Sequence, residues 1–222
     1  MPPPPGKRLT HISLKTAKGR TTASQRWLAR QLNDPYVKAA QAAGWRSRAA
    51  FKLTELDDRF KLLKPGFRVV DLGAAPGGWT QVAMSRIGPH GRVVALDLLP
   101  MEGVAGTIVL QGDFQEAEVE AAVIAALDGP ADLVLSDMAP NTTGHGSTDN
   151  LRITALAELA LDFALRVLAP GGGFVAKLFQ GGAEREVLAH LKKHFAEVRH
   201  AKPPASRKES SENYVVATGF RP

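Results

Sequence analysis

The stretch 69–79, VVDLGAAPGGW, decides how the rest of the chain is read. Two β-branched residues run into Asp71, then into a turn carrying Gly73, Gly77 and Gly78, and the turn ends on Trp79. A short apolar strand, a glycine-rich turn and a following helix make the start of an α/β unit whose ligand lies against the turn. Glycine serves there because backbone must approach the ligand closely and take up positive φ. The spacing matches neither the dinucleotide fingerprint G-x-G-x-x-G nor the phosphate loop G-x-x-x-x-G-K-[ST]. Pro76 also removes one backbone donor. With no pyrophosphate grip, a smaller ligand with a ribose and an uncharged link fits better, and S-adenosylmethionine has that shape. The turn by itself leaves a nicotinamide-dependent dehydrogenase open.

Outward from this turn, strands and helices alternate. The patterning predicts strands over 68–72, 92–97, 106–110, 132–137 and 173–179, and helices over 78–87, 115–127, 151–168 and 184–195. The strands are short and apolar on both faces, as in a buried parallel sheet, so the fold class is a doubly wound α/β domain with right-handed crossovers. The C-terminal end breaks the rhythm. A strand over 197–201 and another over 213–219 are separated by about ten residues with no helix, too few for a parallel crossover, so the two pair antiparallel. The last strand then starts at the sheet edge where the others end. Before the glycine turn, Ala49, Leu53, Leu56 and Phe60 recur at helical spacing and predict a helix over 47–61, with Ser47 as its N-cap.

Ligands in open α/β sheets bind beyond the C-terminal strand ends, and those ends here carry acids. Asp71 closes the first strand. Asp97 closes the second, about twenty residues past the glycines, where a carboxylate takes ribose hydroxyls. Asp113 follows the third in LQGDF, within reach of an adenine amino group. Asp137 closes the fourth in LVLSDMAP. Lys177 sits late in the fifth between Ala176 and Leu178, an apolar setting that lysine rarely occupies without a reason. Glu212 begins the reversed last strand and so belongs to the same edge. Lys52, on the 47–61 helix, lies about 70° from the centre of the apolar stripe and borders the buried face.

The 222 residues suffice for one core. The absence of cysteine excludes disulfides, thiolate metal sites and a catalytic thiol. MPPPPGKR has no hydrophobic core, so no secretory signal is expected, and no apolar run reaches membrane-spanning length. Charge is uneven: residues 1–52 hold eleven Lys or Arg and a single acid, Asp34, while the whole chain is only +6. The basic charge is local and points to a polyanionic partner. Residues 1–23 read as a disordered, basic, proline-rich arm, and 24–222 as a single domain with an N-terminal helical extension.

GWRSRAAFKL, VVDLGAAPGGW, ALDLLPM, LQGDF, SDMAPN, VAKLFQG and SENYVVATG, in this order from about Arg26 to the C-terminus, resemble the RrmJ/FtsJ family of RNA ribose 2′-O-methyltransferases. The likeness is greatest to the bacterial branch acting on a uridine of 23S ribosomal RNA. It implies a Rossmann-like methyltransferase fold: a seven-stranded, mostly parallel sheet with an antiparallel last strand and helices on both faces. It implies a catalytic tetrad of Lys52, Asp137, Lys177 and Glu212, with Lys177 as general base, and donor contacts at Gly77, Trp79, Asp97, Asp113 and Asp137. Asp71 and Gly73 join the donor site from the reading of the turn. The donor would be S-adenosylmethionine, the product S-adenosylhomocysteine, and no metal is required.

Expected partners are ribosomal RNA within the large subunit and no membrane, for a cytoplasmic monomer. The basic surface for RNA would comprise Arg26, Arg30, Lys38, Arg46 and Arg48, with Lys202, Arg207 and Lys208 in the last hairpin. Trp45 could stack on a base or fill the core. A transfer-RNA or messenger-cap ribose methyltransferase would use the same tetrad, and an inactive RNA-binding protein could keep the same fold. A free lysine titrates near 10.4, so a lysine base must be tuned. Lys52 would favour deprotonation of Lys177, and Asp137 and Glu212 would oppose it.

Overall fold

The computed structural model describes residues 22–140, 145–179, 184–207 and 209–222, with only the backbone of 22–24, 26, 27 and 30. Seven strands form one sheet: β1 (Arg68–Leu72), β2 (Arg92–Asp97), β3 (Ile108–Gln111), β4 (Ala131–Ser136), β5 (Leu168–Phe179), β6 (Phe195–Ala201) and β7 (Glu212–Phe220). Their order is β3-β2-β1-β4-β5-β7-β6. β1 to β5 pair parallel, and β7 runs antiparallel to both β5 and β6, as the short final connection requires. The strand order reverses between β1 and β4, which opens a crevice beyond their C-terminal ends.

Seven helices accompany the sheet among the described residues: α1 (Thr22–Asn33), α2 (Pro35–Ala42), α3 (Ala49–Phe60), α4 (Gly78–Ile87), α5 (Ala117–Leu127), α6 (Gly146–Val167) and α7 (Arg185–His194). Strand alternation sorts the core into two layers. Val70, Leu72, Val134, Phe174 and Ala176 face α5, α6 and α7. Val69, Leu133, Leu135, Val175 and Val216 face α3 and α4, where Leu53, Leu56, Val82 and Ile87 meet them. Lys177 has the parity of Val175, so it faces the α3 side.

Three expectations are adjusted. Ser47 does not cap α3: the helix starts at Ala49 after Arg48, with no side-chain cap, and the Ser47 hydroxyl is buried without a partner. The helix expected from 151 begins at Gly146, because a polar run at its start hides the helical period. β5 extends back to Leu168, since Leu168 pairs with Ala131 ahead of a register shift. The arm expected over 1–23 lies outside the described residues as far as 21, and α1 begins at Thr22. Asp34 caps α2, accepting from Tyr36 N at 3.0 Å, with Pro35 in the first turn.

Candidate active site

The glycine turn follows β1 as its sequence dictates. Gly73 has φ +76°, and a Cβ there would come within 2.9 Å of the Met138 backbone, so only glycine fits. Gly77 has φ +105° at the N-cap of α4. Beside the turn lies a cavity of about 440 Å³ lined by Gly73, Asp97, Asp113 and Asp137, with apolar walls that include Leu98 and Leu99. Backbone amides fix two of its acids. Asp97 accepts from Ala75 N and from Leu99 N, each at 2.8 Å. Asp113 accepts from Gln115 N at 2.9 Å. Each carboxylate keeps lone pairs for a ligand.

Asp71, Gly77 and Trp79 lie outside this lining. Asp71 is fully buried beneath the turn. Thr80 Oγ1 donates to its Oδ2 at 2.7 Å, while Oδ1 has no partner. Burial, against the Thr80 hydrogen bond and with the Asp137 and Asp97 charges adding, pushes its carboxyl up to about 7. Trp79 is buried, and its indole N–H donates to Ala49 O at 2.8 Å, tying α4 to α3.

The four tetrad candidates come together. Lys177 Nζ is 2.8 Å from Asp137 Oδ1 and also donates to the Asp137 carbonyl at 2.8 Å. Lys52 Nζ is 2.8 Å from Glu212 Oε2. Of two residues absent from the sequence reading, Tyr214 joins these pairs into a chain and Ser206 extends it at the Glu212 end. Tyr214 sits opposite Lys177 across the β5–β7 ladder and is fully buried. Its hydroxyl donates to Asp137 Oδ1 at 2.7 Å and accepts from Lys52 Nζ at 3.3 Å. Ser206 Oγ donates to Glu212 Oε1 at 2.7 Å. Glu212 and Tyr214 are two residues apart on one strand face, so the period of β7 alone signals that both belong to the site.

Burial pushes the Asp137 carboxyl up, but the Lys177 and Lys52 charges, with hydrogen bonds from Lys177 and Tyr214, outweigh it and hold the group below the usual range. Burial, then the Asp137 and Glu212 charges, raise the Tyr214 phenol well above its ordinary value, so it remains a donor. Asp137 lines the donor-side cavity and also pairs with Lys177, which makes it common to both halves.

On the outer side of Lys52, a second cavity of about 430 Å³ is lined by Gln31, Arg48, Lys52, Arg207, Ser210 and Glu212 among others. Arg48 pairs with Asp34 at 2.6 Å and donates to Ala205 O. Arg207 reaches the same Asp34 carboxylate at 3.4 Å. Glu55, its carboxyl raised chiefly by burial, accepts from Ala205 N at 2.7 Å and latches the β6–β7 connection onto α3. Lys38 is half-buried on α2, and Lys202 donates to Ser210 O at 2.5 Å. Arg46 reaches the glycine turn, donating to Pro76 O, Glu102 O and Gly103 O. Trp45 packs against the core. Lys208 and the side chains of Arg26 and Arg30 lie outside the described residues.

A family model described as FtsJ-like methyltransferase matches residues 45–220. The "Ribosomal RNA large subunit methyltransferase E" of Gluconobacter oxydans is 65% identical over 211 residues, which cover 95% of this chain and 78% of that protein. The protein of the same name from Granulibacter bethesdensis is 63% identical, over 99% of this chain and 95% of its own. A solved structure from Plasmodium falciparum, described as a ribosomal RNA methyltransferase, superposes with a TM-score of 0.70 at 28% identity, covering 79% of this chain and 98% of that one. With its reversed seventh strand, its glycine turn and this match across most of its length, the chain belongs to the FtsJ-like methyltransferase family.

Proposed function

We propose that the protein transfers a methyl group from S-adenosylmethionine to the ribose 2′-hydroxyl of a uridine in large-subunit ribosomal RNA. The observation that carries this reading is the double membership of Asp137, which lines the donor cavity and pairs with Lys177 at 2.8 Å. A reacting atom held by the tetrad therefore lies next to a ligand held by the turn. The names of the two relatives support ribosomal RNA of the large subunit as the substrate.

The cavity suits the donor: Asp97 and Asp113 offer carboxylate lone pairs to ribose and base, and Gly73 lets the turn pack against the Met138 backbone at the cavity wall. When bound, S-adenosylmethionine supplies a methyl group already activated by a positive sulfur. Lys177 orients the 2′-hydroxyl and, once its own ammonium has released a proton, takes the hydroxyl proton at the neutral Nζ, while Asp137 fixes that nitrogen from two directions. Lys52, held by Glu212 and Tyr214, places positive charge where the attacking oxygen becomes negative. Alignment of this kind lowers a barrier by about 7–11 kcal/mol.

RNA enters over the second cavity, with Arg48 and Arg207 facing its phosphates. Lys38 and Lys202 extend that basic surface. The protein acts as a cytoplasmic monomer.

The test incubates the protein with labelled donor and, separately, transfer RNA, naked ribosomal RNA and large subunits lacking the mark. The label should land on one uridine ribose of large-subunit RNA. Label on transfer RNA alone, or none anywhere, would sink the reading. Substantial activity in Lys177→Arg would reject the base role and leave Lys177 an orienting group.

A further inference from the structure

We propose that Arg46 is a positioning residue of the donor site: it clasps the tip of the β2–β3 loop onto the glycine turn and so holds one wall of the donor cavity. The inference rests on the donor site argued above and gives Arg46 a task other than contact with RNA.

The segment before α3 is docked on the first turns of α4. Arg46 N donates to Gln81 Oε1 at 2.8 Å, and Gln81 Nε2 returns a bond to Gly44 O at 3.2 Å. From this base the guanidinium fans out. Nη1 donates to Pro76 O at 3.3 Å and to Glu102 O at 2.6 Å, and Nη2 donates to Gly103 O at 2.6 Å. One side chain thus bridges the turn after β1 and the loop after β2. The approach is close: a Cβ on Gly77 would stand 3.0 Å from Arg46 Nη1 and 3.0 Å from Met101 Sδ. Part of the requirement for glycine at 77 is room for this clasp.

The loop needs a clasp. Residues 98–107 have no helix or strand, yet Leu98 and Leu99, each 64% exposed, line the donor cavity. The ends of the loop are pinned, by Leu99 N to Asp97 and Gln111 Nε2 to Leu98 O at one side and by Thr107 to Val104 O at the other. The Glu102–Gly103 tip is held by Arg46, through two short charge-assisted bonds. A loop ordered in advance spares the ligand the entropy of ordering it. The task also needs a planar fork with several donors, which an ammonium lacks. A phosphate contact would instead require these carbonyl bonds to break, and a lysine would largely replace arginine there.

Arg46→Ala and Arg46→Lys, in the full chain, separate the two roles. Binding of S-adenosylhomocysteine is measured by calorimetry without RNA, and binding of a large-subunit ribosomal RNA transcript by anisotropy over a salt series. Both variants should weaken S-adenosylhomocysteine about tenfold, as loss of a pre-ordered loop predicts, while RNA affinity and its salt slope stay within about twofold. Amides of residues 98–106 should exchange faster with deuterium in Arg46→Lys, a readout that survives if the alanine variant folds poorly. Undiminished S-adenosylhomocysteine binding in Arg46→Lys with unchanged exchange would overturn the clasp, as would an RNA defect in the alanine variant rescued by lysine. No binding of S-adenosylhomocysteine by the unaltered protein would overturn the donor site and the clasp together.

Discussion

The donor half and the acceptor half of the site are built on opposite plans. The donor half is the more local: Asp97 is held by the Leu99 amide two residues on and by the Ala75 amide from the neighbouring turn, and Asp113 by the Gln115 amide two residues on. Its remaining surface is mostly glycine backbone and apolar wall, with Asp137 shared with the acceptor half. The acceptor half is assembled from far along the chain. Lys52 meets Glu212 across 160 residues and Lys177 meets the Asp137 carbonyl across 40. A local site tolerates the loss of one side chain because its neighbours are held by backbone. A chain of buried charges does not, because each group leaves another uncompensated.

The largest break should come at Lys177. Lys177→Met removes the proposed base and is expected to lower kcat by about 10²–10⁴-fold. It also leaves the Asp137 carboxylate buried without its ammonium, which should cost about 3 kcal/mol of stability. Single-turnover rates and urea unfolding check the two effects. An intact rate with a lowered midpoint would make Lys177 a structural ion and nothing more.

Asp71 tests the comparison from below the turn. Its folded carboxyl, raised to about 7 from an ordinary 3.8, keeps a proton that the unfolded chain has released. Stability should therefore fall as pH rises between those values, by about 1.4 kcal/mol per pH unit, and level off above them. Asp71→Asn removes this dependence and should be more stable than the unaltered protein at pH 8. The check is the difference between the two urea midpoints across pH 4 to 8. A difference that does not change with pH would show that the buried carboxyl does not titrate there.

Asp97→Ala breaks the donor half instead. Loss of a charged acceptor should weaken S-adenosylhomocysteine about tenfold to a hundredfold, near 1.5–3 kcal/mol. The tetrad, in another part of the sheet edge, should keep its pH–rate profile. A collapse of kcat at saturating donor, with affinity unchanged, would show that the two halves are not separable.

How much of this was legible in the sequence follows the same division. Strand ends bearing Asp97, Asp113 and Asp137 could be read directly, because a strand's last residue and its turn are local facts. Lys177 and Glu212 could be brought to one edge from the length of the final connection, since ten residues cannot cross a sheet in parallel. Three things were not legible. Asp71 shares the strand-end position of the other acids, but its side chain goes under the turn to Thr80, and which way it goes depends on packing. Arg46 and Arg48 read as free basic charge, because the carbonyls of Glu102 and Gly103 and the carboxylate of Asp34 approach them from other elements. Tyr214 reads as an ordinary core aromatic in an apolar strand, and its hydroxyl gains meaning only from what faces it.

Tyr214 therefore gives the finest test of the contrast, and the smallest expected effect. Its phenol is the one described group bonded to both ion pairs, accepting from Lys52 and donating to Asp137. Tyr214→Phe keeps the ring and its packing on Trp79, whose centroid is 5.5 Å away, and removes only the hydroxyl. One hydrogen bond to an ionised partner is worth about 1.5–3 kcal/mol, so kcat should fall roughly tenfold or somewhat more. The affinity for S-adenosylhomocysteine should stay within about twofold, because Tyr214 itself does not line the donor cavity and Asp137 keeps both bonds from Lys177. If the hydroxyl acts by linking the pairs, its loss should cost much less when Ser206→Ala has already loosened Glu212 at the far end of the chain. Additive losses in that double-mutant cycle would mean that the two ion pairs work independently, and that the acceptor half is two local sites that happen to touch.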